Sequence, residues 1–189
     1  HSPSKLGREA NLLTAEFSYQ GLRQALTGRG APGMAGTIEF YPEEGKYHYD
    51  GHRNCHLCLK PSQTEEYRGI CPVCGKKITV GVLHRVEELA DRPEGYRPER
   101  NGYFESLVPL SEIIGASLGI RPESAKVQKG YEEMLRRFGS EFSILRSLPT
   151  EEIAESAGEC IAEGIKRARM GKIFVSPGFD GEYGKVAVF

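Results

Sequence analysis

Two Cys-x-x-Cys pairs constrain the fold of this chain more than any other feature. The first pair is Cys55 and Cys58, and the second, after twelve intervening residues, is Cys71 and Cys74. Each pair forms a tight turn that directs two sulfurs at one point, and four thiolates complete the tetrahedron of a structural zinc site. Two disulfides or four idle thiols are the alternative. The spacing predicts a four-cysteine zinc ribbon with zinc as a structural cofactor.

The predicted zinc site is a closed one. Four protein ligands leave no open position for water, so we expect the metal to support folding and to perform no chemistry. His56 lies inside the first turn, but the four cysteines already fill the coordination shell. Metal binding is therefore expected to contribute to the folding free energy of this segment.

Composition and hydropathy limit the binding partners and the cellular location expected of the chain. The net charge of the 189 residues is −1, so any contact with DNA must come from a local patch. No apolar run approaches the roughly 20 residues needed to cross a bilayer, and the N-terminus lacks the pattern of a signal peptide. We expect a cytoplasmic protein without a membrane partner, whose cysteines stay reduced for metal.

Residue patterns along the chain predict an α+β fold with several segments. A small four-cysteine zinc ribbon is followed by a helical domain with a helix-hairpin-helix-like motif and a terminal pair of short strands. Glycine and proline make residues 92–102 a linker. The predicted segments are residues 1–36 as the tail of a larger domain, 37–82 as the zinc ribbon, 83–106 as a helix and linker, and 107–189 as the helical domain with C-terminal strands.

A stretch in the helical half resembles the helix-hairpin-helix of DNA repair proteins. Its matches to the last Gly, the Ala, the Ile and the basic position of that motif are Gly158, Ala162, Ile165 and Arg169. A glycine-rich turn leaves main-chain N–H groups bare at a helix N-terminus, where they bind phosphate without reading sequence. Ser156 and Glu159 depart from the motif, and a plain helical hairpin is the alternative.

Basic residues follow that hairpin within about one helical turn. We predict that Gly158, Lys166, Arg167 and Arg169 contact the phosphate backbone of DNA. A charge run of this kind is more commonly a solvated helix face. Its position beyond a phosphate-binding hairpin is what favours the functional interpretation.

Longer motifs extend the resemblance to almost the whole chain. They include Cys71-Pro72-Val73-Cys74-Gly75-Lys76, the run from Pro177 to Gly184, and residues 1–11, 42–55 and 84–95. Together they resemble the C-terminal half of the endonuclease Q family. The resemblance implies an N-terminal metal-dependent barrel of the polymerase and histidinol phosphatase (PHP) type, then a zinc finger and a helical region. It also implies incision of DNA on the 5′ side of uracil, hypoxanthine or an abasic site.

The chain departs from that family at the catalytic centre. The PHP motif that its start resembles is Ser-Asp-Ala-His, of which only His1 is present, as a remnant of the ligand set or by coincidence. A multi-metal hydrolytic site needs several His and carboxylate ligands. We therefore assign no catalytic residues, interpret residues 1–36 as the tail of a PHP domain, and expect catalytic metal ions and the PHP barrel only in a full-length parent chain.

An enzyme that inspects a base usually extrudes it into a pocket with aromatic walls and a few polar groups. Two stretches offer such groups: Tyr47, His48, Tyr49, Asp50 and His52 before the ribbon, and Phe179, Asp180, Glu182 and Tyr183 in a glycine-rich loop. Glycines at 178, 181 and 184 would let the loop approach a ligand closely. The alternatives are tyrosines that cover the ribbon and a loop that only joins two strands.

Two classes of function follow from these patterns. In the first, the chain is the DNA-binding and lesion-recognition part of an endonuclease, with DNA as its partner. In the second, the ribbon and helices are a structural or protein-interaction module that braces a phosphoesterase barrel without touching DNA. Phosphate contacts give a steep salt dependence of binding, which separates the two classes.

Overall fold

A computed structural model describes residues 8–28, 33–97 and 103–189 and confirms the α+β class. His1 lies outside these residues. The strands are β1 (Ala10–Leu13), β2 (Met34–Glu39), β3 (Asp50–His52), β4 (Leu57–Leu59), β5 (Tyr103–Ser106), β6 (Phe174–Ser176) and β7 (Lys185–Ala187). The helices are α1 (Tyr19–Thr27), α2 (Pro61–Glu66), α3 (Val82–Leu89), α4 (Leu110–Leu118), α5 (Ala125–Phe138), α6 (Glu141–Arg146), α7 (Thr150–Ala157) and α8 (Glu159–Arg169).

One compact unit joins His1–Phe40 to Glu94–Leu107. Its sheet has the order β1-β2-β5, in which β2 pairs antiparallel with β1 and parallel with β5. Ile38 of β2 is fully buried. These units differ from the predicted segments: β2 lies with the N-terminal residues and not with the ribbon, and the end of segment 83–106 is a strand. A parallel partner lies far away in sequence, so local patterns do not reveal it.

The second unit joins Tyr41–Pro93 to Val108–Phe189 and contains the ribbon. Here β3 and β4 form an antiparallel pair, with Gly51 opposite Cys58 and His52 opposite Leu57. The segment after the second cysteine pair joins them only through an antiparallel bridge between Thr79 and Gly51. A small buried cluster of Leu59, Cys71 and Ile78 lies beneath these strands. Such a cluster is too small to hold the ribbon by apolar burial alone.

Helices α4 to α8 form the bundle of the second unit, in which α8 packs against α4 and α7. Its fully buried side chains include Ile113, Ile144, Ile153 and Ile165. Each of the four comes from a different helix, so α4, α6, α7 and α8 all contribute an apolar side to one core. In the part of the chain that the structure describes, no helix is both long and apolar enough to cross a membrane.

The two C-terminal strands form the predicted pair. β6 and β7 run antiparallel, with Phe174 opposite Ala187 and Ser176 opposite Lys185. β7 contacts both α4 and a 3-10 turn at Pro42–Glu44, and the following residue, Val188, is buried. Within the second unit, this hairpin therefore connects the bundle to the segment that leads into the ribbon.

Gly164 lets α8 pack tightly against α4. A Cβ at this position would lie 2.8 Å from Cγ2 of Ile113 and 3.3 Å from Cε2 of Phe189, whereas a Cβ at Gly130 of α5 would have its nearest neighbour at 3.8 Å. Alanine gains roughly 0.5–1 kcal/mol over glycine in a helix, and overpacking costs about 1–3 kcal/mol. The two helical glycines should therefore respond oppositely to alanine.

We expect Gly130→Ala to raise the free energy of unfolding by up to about 1 kcal/mol. Gly164→Ala should lower it by about 1 kcal/mol, because the clash outweighs the helix propensity. Urea denaturation of the two variants and the parent chain measures both values. Equal shifts in the same direction would contradict the packing described for α4 and α8.

Candidate functional site

Four metal-ligating side chains converge in the ribbon: His52, Cys55, Cys71 and Cys74. Their ligand atoms all lie within 4.8 Å of one another, and Cys74 Sγ lies 3.4 Å from His52 Nδ1. A tetrahedral metal with bonds of about 2.1–2.3 Å separates its ligand atoms by roughly 3.5–3.8 Å. The cluster therefore has the size and the donor set of a metal site.

Two tight turns bring these ligands together. A 3-10 turn at Arg53–Cys55 follows His52 directly and ends at His56, whose positive φ of 50° reverses the chain. In the second turn the Gly75 N–H donates to the Cys71 carbonyl at 2.8 Å, and Gly75 takes a φ of 72°. Glycine adopts this conformation without steric cost, which explains its place after the second cysteine pair.

Cys58 is not part of the cluster, although the sequence analysis assigned it as the fourth ligand. It lies directly opposite Gly51 in the β3–β4 pair, one residue out of phase with His52. Since successive residues of a strand face opposite sides, the Cys58 thiol points away from the side that His52 occupies. The missed signal is in the sequence: His52-x-x-Cys55 has the same spacing as Cys71-x-x-Cys74.

The acidities of the thiols favour a bound cation. Burial raises the pKa of Cys71, but the N–H groups of Cys74 and Val73 and the His52 side chain outweigh it and lower this pKa to about 6. Burial, followed by hydrogen bonds to Cys74 and Cys71, raises the pKa of Cys55 to about 11. A thiolate at one cysteine thus raises the pKa of its neighbour, and a divalent cation would offset the repulsion between the two negative charges. Three thiols and one imidazole fit a closed tetrahedral site.

We expect Cys58→Ser to retain about one equivalent of zinc and His52→Ala or Cys71→Ser to lose most of it, because only the latter two remove a ligand of the cluster. Elemental analysis of the purified variants gives the stoichiometry, and the parent chain is the control. A Cys58→Ser protein that loses its metal while His52→Ala keeps it would restore the four-cysteine arrangement.

A buried carboxylate attaches α3 to the ribbon. Asp50 is fully buried; its Oδ1 accepts from the Gly81 N–H at 2.7 Å, and its Oδ2 lies 2.6 Å from His84 Nδ1. The carbonyls of Tyr47 and His48 accept from the N–H groups of Val82 and Leu83. The first-turn donors of α3, which have no partner within the helix, are thus satisfied by residues 47–50. His48 and Tyr49 stack at 5.3 Å between ring centroids.

The Asp50–His84 pair should make stability depend on pH. The hydrogen bond to Asp50 raises the pKa of His84 above its ordinary value, despite the opposing effect of burial. A raised folded-state pKa means that the stabilisation is complete below the unfolded-state pKa of about 6.5 and is lost as pH rises through the folded value. The pair should therefore stabilise the fold most at the acidic end of the neutral range.

To test this, thermal unfolding of the metal-saturated parent and of His84→Gln is compared from about pH 6 upward. Gln keeps a hydrogen-bond donor but cannot become charged, so the difference in stability between the two proteins should shrink as pH rises. A difference that does not change with pH would exclude a charged His84 at this contact.

Both stretches predicted to line a base pocket meet at one surface. Lys46 Nζ lies 5.8 Å from the ring centroid of Tyr47 and 5.5 Å from that of Tyr183. Tyr47 retains 47% of its accessible surface and Tyr183 retains 73%. We call Lys46, Tyr47 and Tyr183 the tyrosine surface. The structure thus brings together residues that lie at opposite ends of the second unit in sequence.

Other members of the two predicted stretches are engaged inside the fold. Phe179 forms a bridge with Tyr49, and its ring contacts Gly51 closely. Asp180 Oδ2 accepts from the Arg53 N–H at 2.7 Å. The Glu182 main chain exchanges hydrogen bonds with Phe179. With Asp50 buried and His52 in the metal cluster, the outward groups of the two stretches are chiefly the tyrosines.

The glycines of the C-terminal loop serve backbone packing. Gly178 N–H donates to the Glu43 carbonyl at 2.8 Å, and Gly184 N–H donates to the Glu44 carbonyl at 3.1 Å. A Cβ at either position would collide with main-chain atoms, Gly45 O for Gly178 and Glu43 O for Gly184. At these two positions the close approach is to residues 43–45 of the same chain, which corrects the prediction of an approach to a ligand.

The predicted phosphate-binding hairpin is present as a helical hairpin. Gly158, with a φ of 96°, is the single residue between α7 and α8. Beside it lies a groove of about 380 Å³ whose charged lining is Glu151, Glu155, Glu159, Glu163 and Lys166. The four carboxylates of this groove oppose the approach of an anion, although main-chain N–H groups at the N-terminus of α8 favour it.

Arg167 and Arg169 have partners within the fold. Arg169 Nε donates to the Leu145 carbonyl at 2.8 Å, and its Nη2 donates to the carbonyls of Ile144 at 2.8 Å and Leu148 at 2.6 Å. Ile144 and Leu145 lie in the last turn of α6, and Leu148 lies two residues beyond its end, so Arg169 satisfies carbonyls at the C-terminus of that helix and in the segment after it. Arg167 lies over the Phe189 ring at 5.2 Å. The arrangement gives Arg169 a structural role in place of the predicted phosphate contact.

Comparisons with known proteins identify sequences and solved structures that are similar to this chain. A family model described as the MJ0043 C-terminal domain matches residues 109–172. The uncharacterised protein MJ0043 of Methanocaldococcus jannaschii is 32% identical over 99% of this chain. The crystal structure of the lesion-specific endonuclease PfuEndoQ from Pyrococcus furiosus covers 98% of this chain with a TM-score of 0.86 and 33% identity.

A second solved structure, Endonuclease Q in complex with a 27-mer duplex substrate carrying an abasic lesion at the active site, matches 98% of this chain with a TM-score of 0.81 and 33% identity. The chain spans 46% and 47% of the two solved chains and 24% of the Methanocaldococcus protein. The match therefore covers almost all of this chain and about half or less of each relative.

Proposed function

Because this chain is an endonuclease Q-like sequence that spans about half the length of the solved proteins, we propose that it is the DNA-binding and lesion-recognition part of such an endonuclease. The parent enzyme would incise DNA on the 5′ side of a deaminated base, uracil or hypoxanthine, or of an abasic site. The similarity to a chain solved with a duplex that carries an abasic lesion supports DNA as the partner.

The observation that carries this proposal is the tyrosine surface. Tyr47 and Tyr183 come from opposite ends of the second unit and are held on either side of Lys46 with their rings exposed. An aromatic face stacks on any base, and a lysine beside it attracts the phosphate of the same nucleotide. Exposed tyrosines held by a rigid scaffold also lose little entropy when a base stacks on them.

The metal centre has a supporting role in this proposal. A closed cluster of three cysteines and one histidine with zinc would hold the first turn of the ribbon and thereby the segment that carries Tyr47. Hydrolysis would belong to the PHP barrel of the full-length parent, with its own catalytic metal ions. The chain alone would bind DNA without cutting it.

We assign the α7–α8 hairpin a minor share of the affinity. Gly158, Lys166 and Arg167 remain proposed phosphate contacts, but Lys166 shares its groove with four glutamates and Arg167 lies over an aromatic ring. Acidic groups in the same groove cancel much of the attraction that a lysine exerts on a phosphate.

A structural brace is the second candidate function. The inward contacts of Arg169 and the acidic groove at the hairpin favour it, because neither suits a surface that binds nucleic acid. In that case the chain would support a phosphoesterase barrel and bind no duplex. Affinity for a duplex that falls steeply with salt supports the first function, and no binding at any salt concentration supports the brace.

We expect Tyr183→Ala and Tyr47→Ala each to weaken binding of a uracil-containing duplex by on the order of 1–3 kcal/mol, which is the contribution of one stacked base. Binding of the undamaged duplex should change little, because an unextruded base does not reach the tyrosines. Fluorescence anisotropy with matched uracil and thymine duplexes measures both affinities.

Tyr67→Ala is the matched control for these variants. Tyr67 is an exposed tyrosine of the ribbon, with 43% of its surface accessible, and lies outside the tyrosine surface. It should leave both affinities unchanged. If the parent chain and both tyrosine-surface variants discriminate uracil from thymine equally well, the base pocket lies elsewhere.

A further inference from the structure

Asp180 connects the C-terminal loop to the metal-ligand turn. Its Oδ2 accepts a hydrogen bond from the Arg53 main-chain N–H at 2.7 Å, across 127 residues of sequence. Arg53 is the first residue of the 3-10 turn that begins after His52 and ends at Cys55. That turn has no side-chain cap of its own from His52, so Asp180 satisfies its first N–H from another part of the chain.

Thr79 of the ribbon lies beside the same carboxylate. Burial raises the pKa of Asp180, but interactions with the Thr79 side chain and the Arg53 N–H outweigh it and lower this pKa. The main chain of Thr79 exchanges hydrogen bonds with Gly51, the residue before His52, at 2.8 and 2.9 Å. Asp180 therefore contacts the turn that follows His52 and lies beside the residue that pairs with Gly51. A carboxylate in this position can hold a ligand turn in place.

The backbone conformation at Asp180 is unusual and fits the hydrogen bond to Arg53. Asp180 has a φ of 43°, a left-handed conformation that is uncommon outside glycine, and Gly181 follows with a φ of 90°. The Gly181 N–H donates to the Lys46 carbonyl at 2.8 Å. The loop thus turns sharply at the residue whose carboxylate reaches the ligand turn, and it continues directly to Tyr183.

We propose that Asp180 is a positioning residue of the metal centre, which orients the His52–Cys55 ligand turn and couples metal binding to the order of the loop that carries Tyr183. Partners behind the ligands commonly fix ligand orientation and contribute about 10–100-fold to metal affinity. Coupling of this kind is reciprocal, so bound metal must also stabilise the loop. This inference concerns metal binding and holds whether or not the chain binds DNA.

Metal affinity of the loop variants tests the proposal. Asp180→Ala removes the acceptor and should weaken binding of zinc, measured by competition with a chromophoric chelator, by about 10–100-fold. Asp180→Asn keeps an acceptor oxygen and should recover most of the loss. The cobalt(II) form of Asp180→Ala should show shifted ligand-field bands, because the ligands would no longer converge in the same geometry.

Glu182→Ala is the control, since Glu182 places a carboxylate in the same loop and joins it through main-chain hydrogen bonds to Phe179. Its zinc affinity should stay within about twofold of the parent chain, because no ligand turn depends on that carboxylate. If Asp180→Ala binds zinc as tightly as the control and keeps the cobalt spectrum of the parent chain, the proposal is wrong.

Hydrogen exchange on the parent chain tests the reverse direction and does not require a folded variant. Removal of zinc by a chelator should accelerate amide exchange at Gly181 and Glu182 by about tenfold or more, whereas amides within α7 and α8 should change little. Unchanged exchange in the 178–184 loop after metal removal would overturn the coupling, even if Asp180→Ala proved unable to fold.

Discussion

The convergence of His52, Cys55, Cys71 and Cys74 is the interaction on which the rest of the ribbon depends. The apolar cluster beneath it consists of Leu59, Cys71 and Ile78, which is far smaller than the core of the helical bundle. Apolar burial of that size does not offset the entropy of fixing two turns and two short strands. A metal bound to four side chains from both turns would supply the missing constraint.

Two carboxylates connect this centre to other parts of the second unit. Asp50 lies two residues before His52 and holds α3 through Gly81 and His84. Asp180 reaches the turn after His52 and fixes the loop that carries Tyr183. Both links use buried or partly buried carboxylates with short hydrogen bonds, which are stronger than bonds between neutral groups. The exposed tyrosines are thus positioned by a polar framework and need no apolar core of their own.

Local patterns made part of this structure predictable. The α+β class, the helical bundle and the terminal strand pair follow from residue periodicity and turn chemistry, which are properties of neighbouring residues. A metal site in the ribbon followed from cysteine spacing, but spacing alone did not choose between His52 and Cys58, because that choice depends on which side of β3 and β4 each faces. The pairing of β2 with β5 and the inward turn of Arg169 depend on partners far away in sequence.

Electrostatics bears on how such a module would approach DNA. The chain carries a net charge of −1, its hairpin groove holds four glutamates, and one of its arginines is committed to main-chain carbonyls. Long-range attraction to a polyanion is therefore weak, and a full-length enzyme would need positive charge elsewhere for the initial encounter. Under the proposed function, this part would contribute short-range contact through aromatic rings held beside one lysine. Such an arrangement favours discrimination among bases already extruded from the helix over affinity for the duplex itself, because stacking requires an exposed base face and a backbone charge does not.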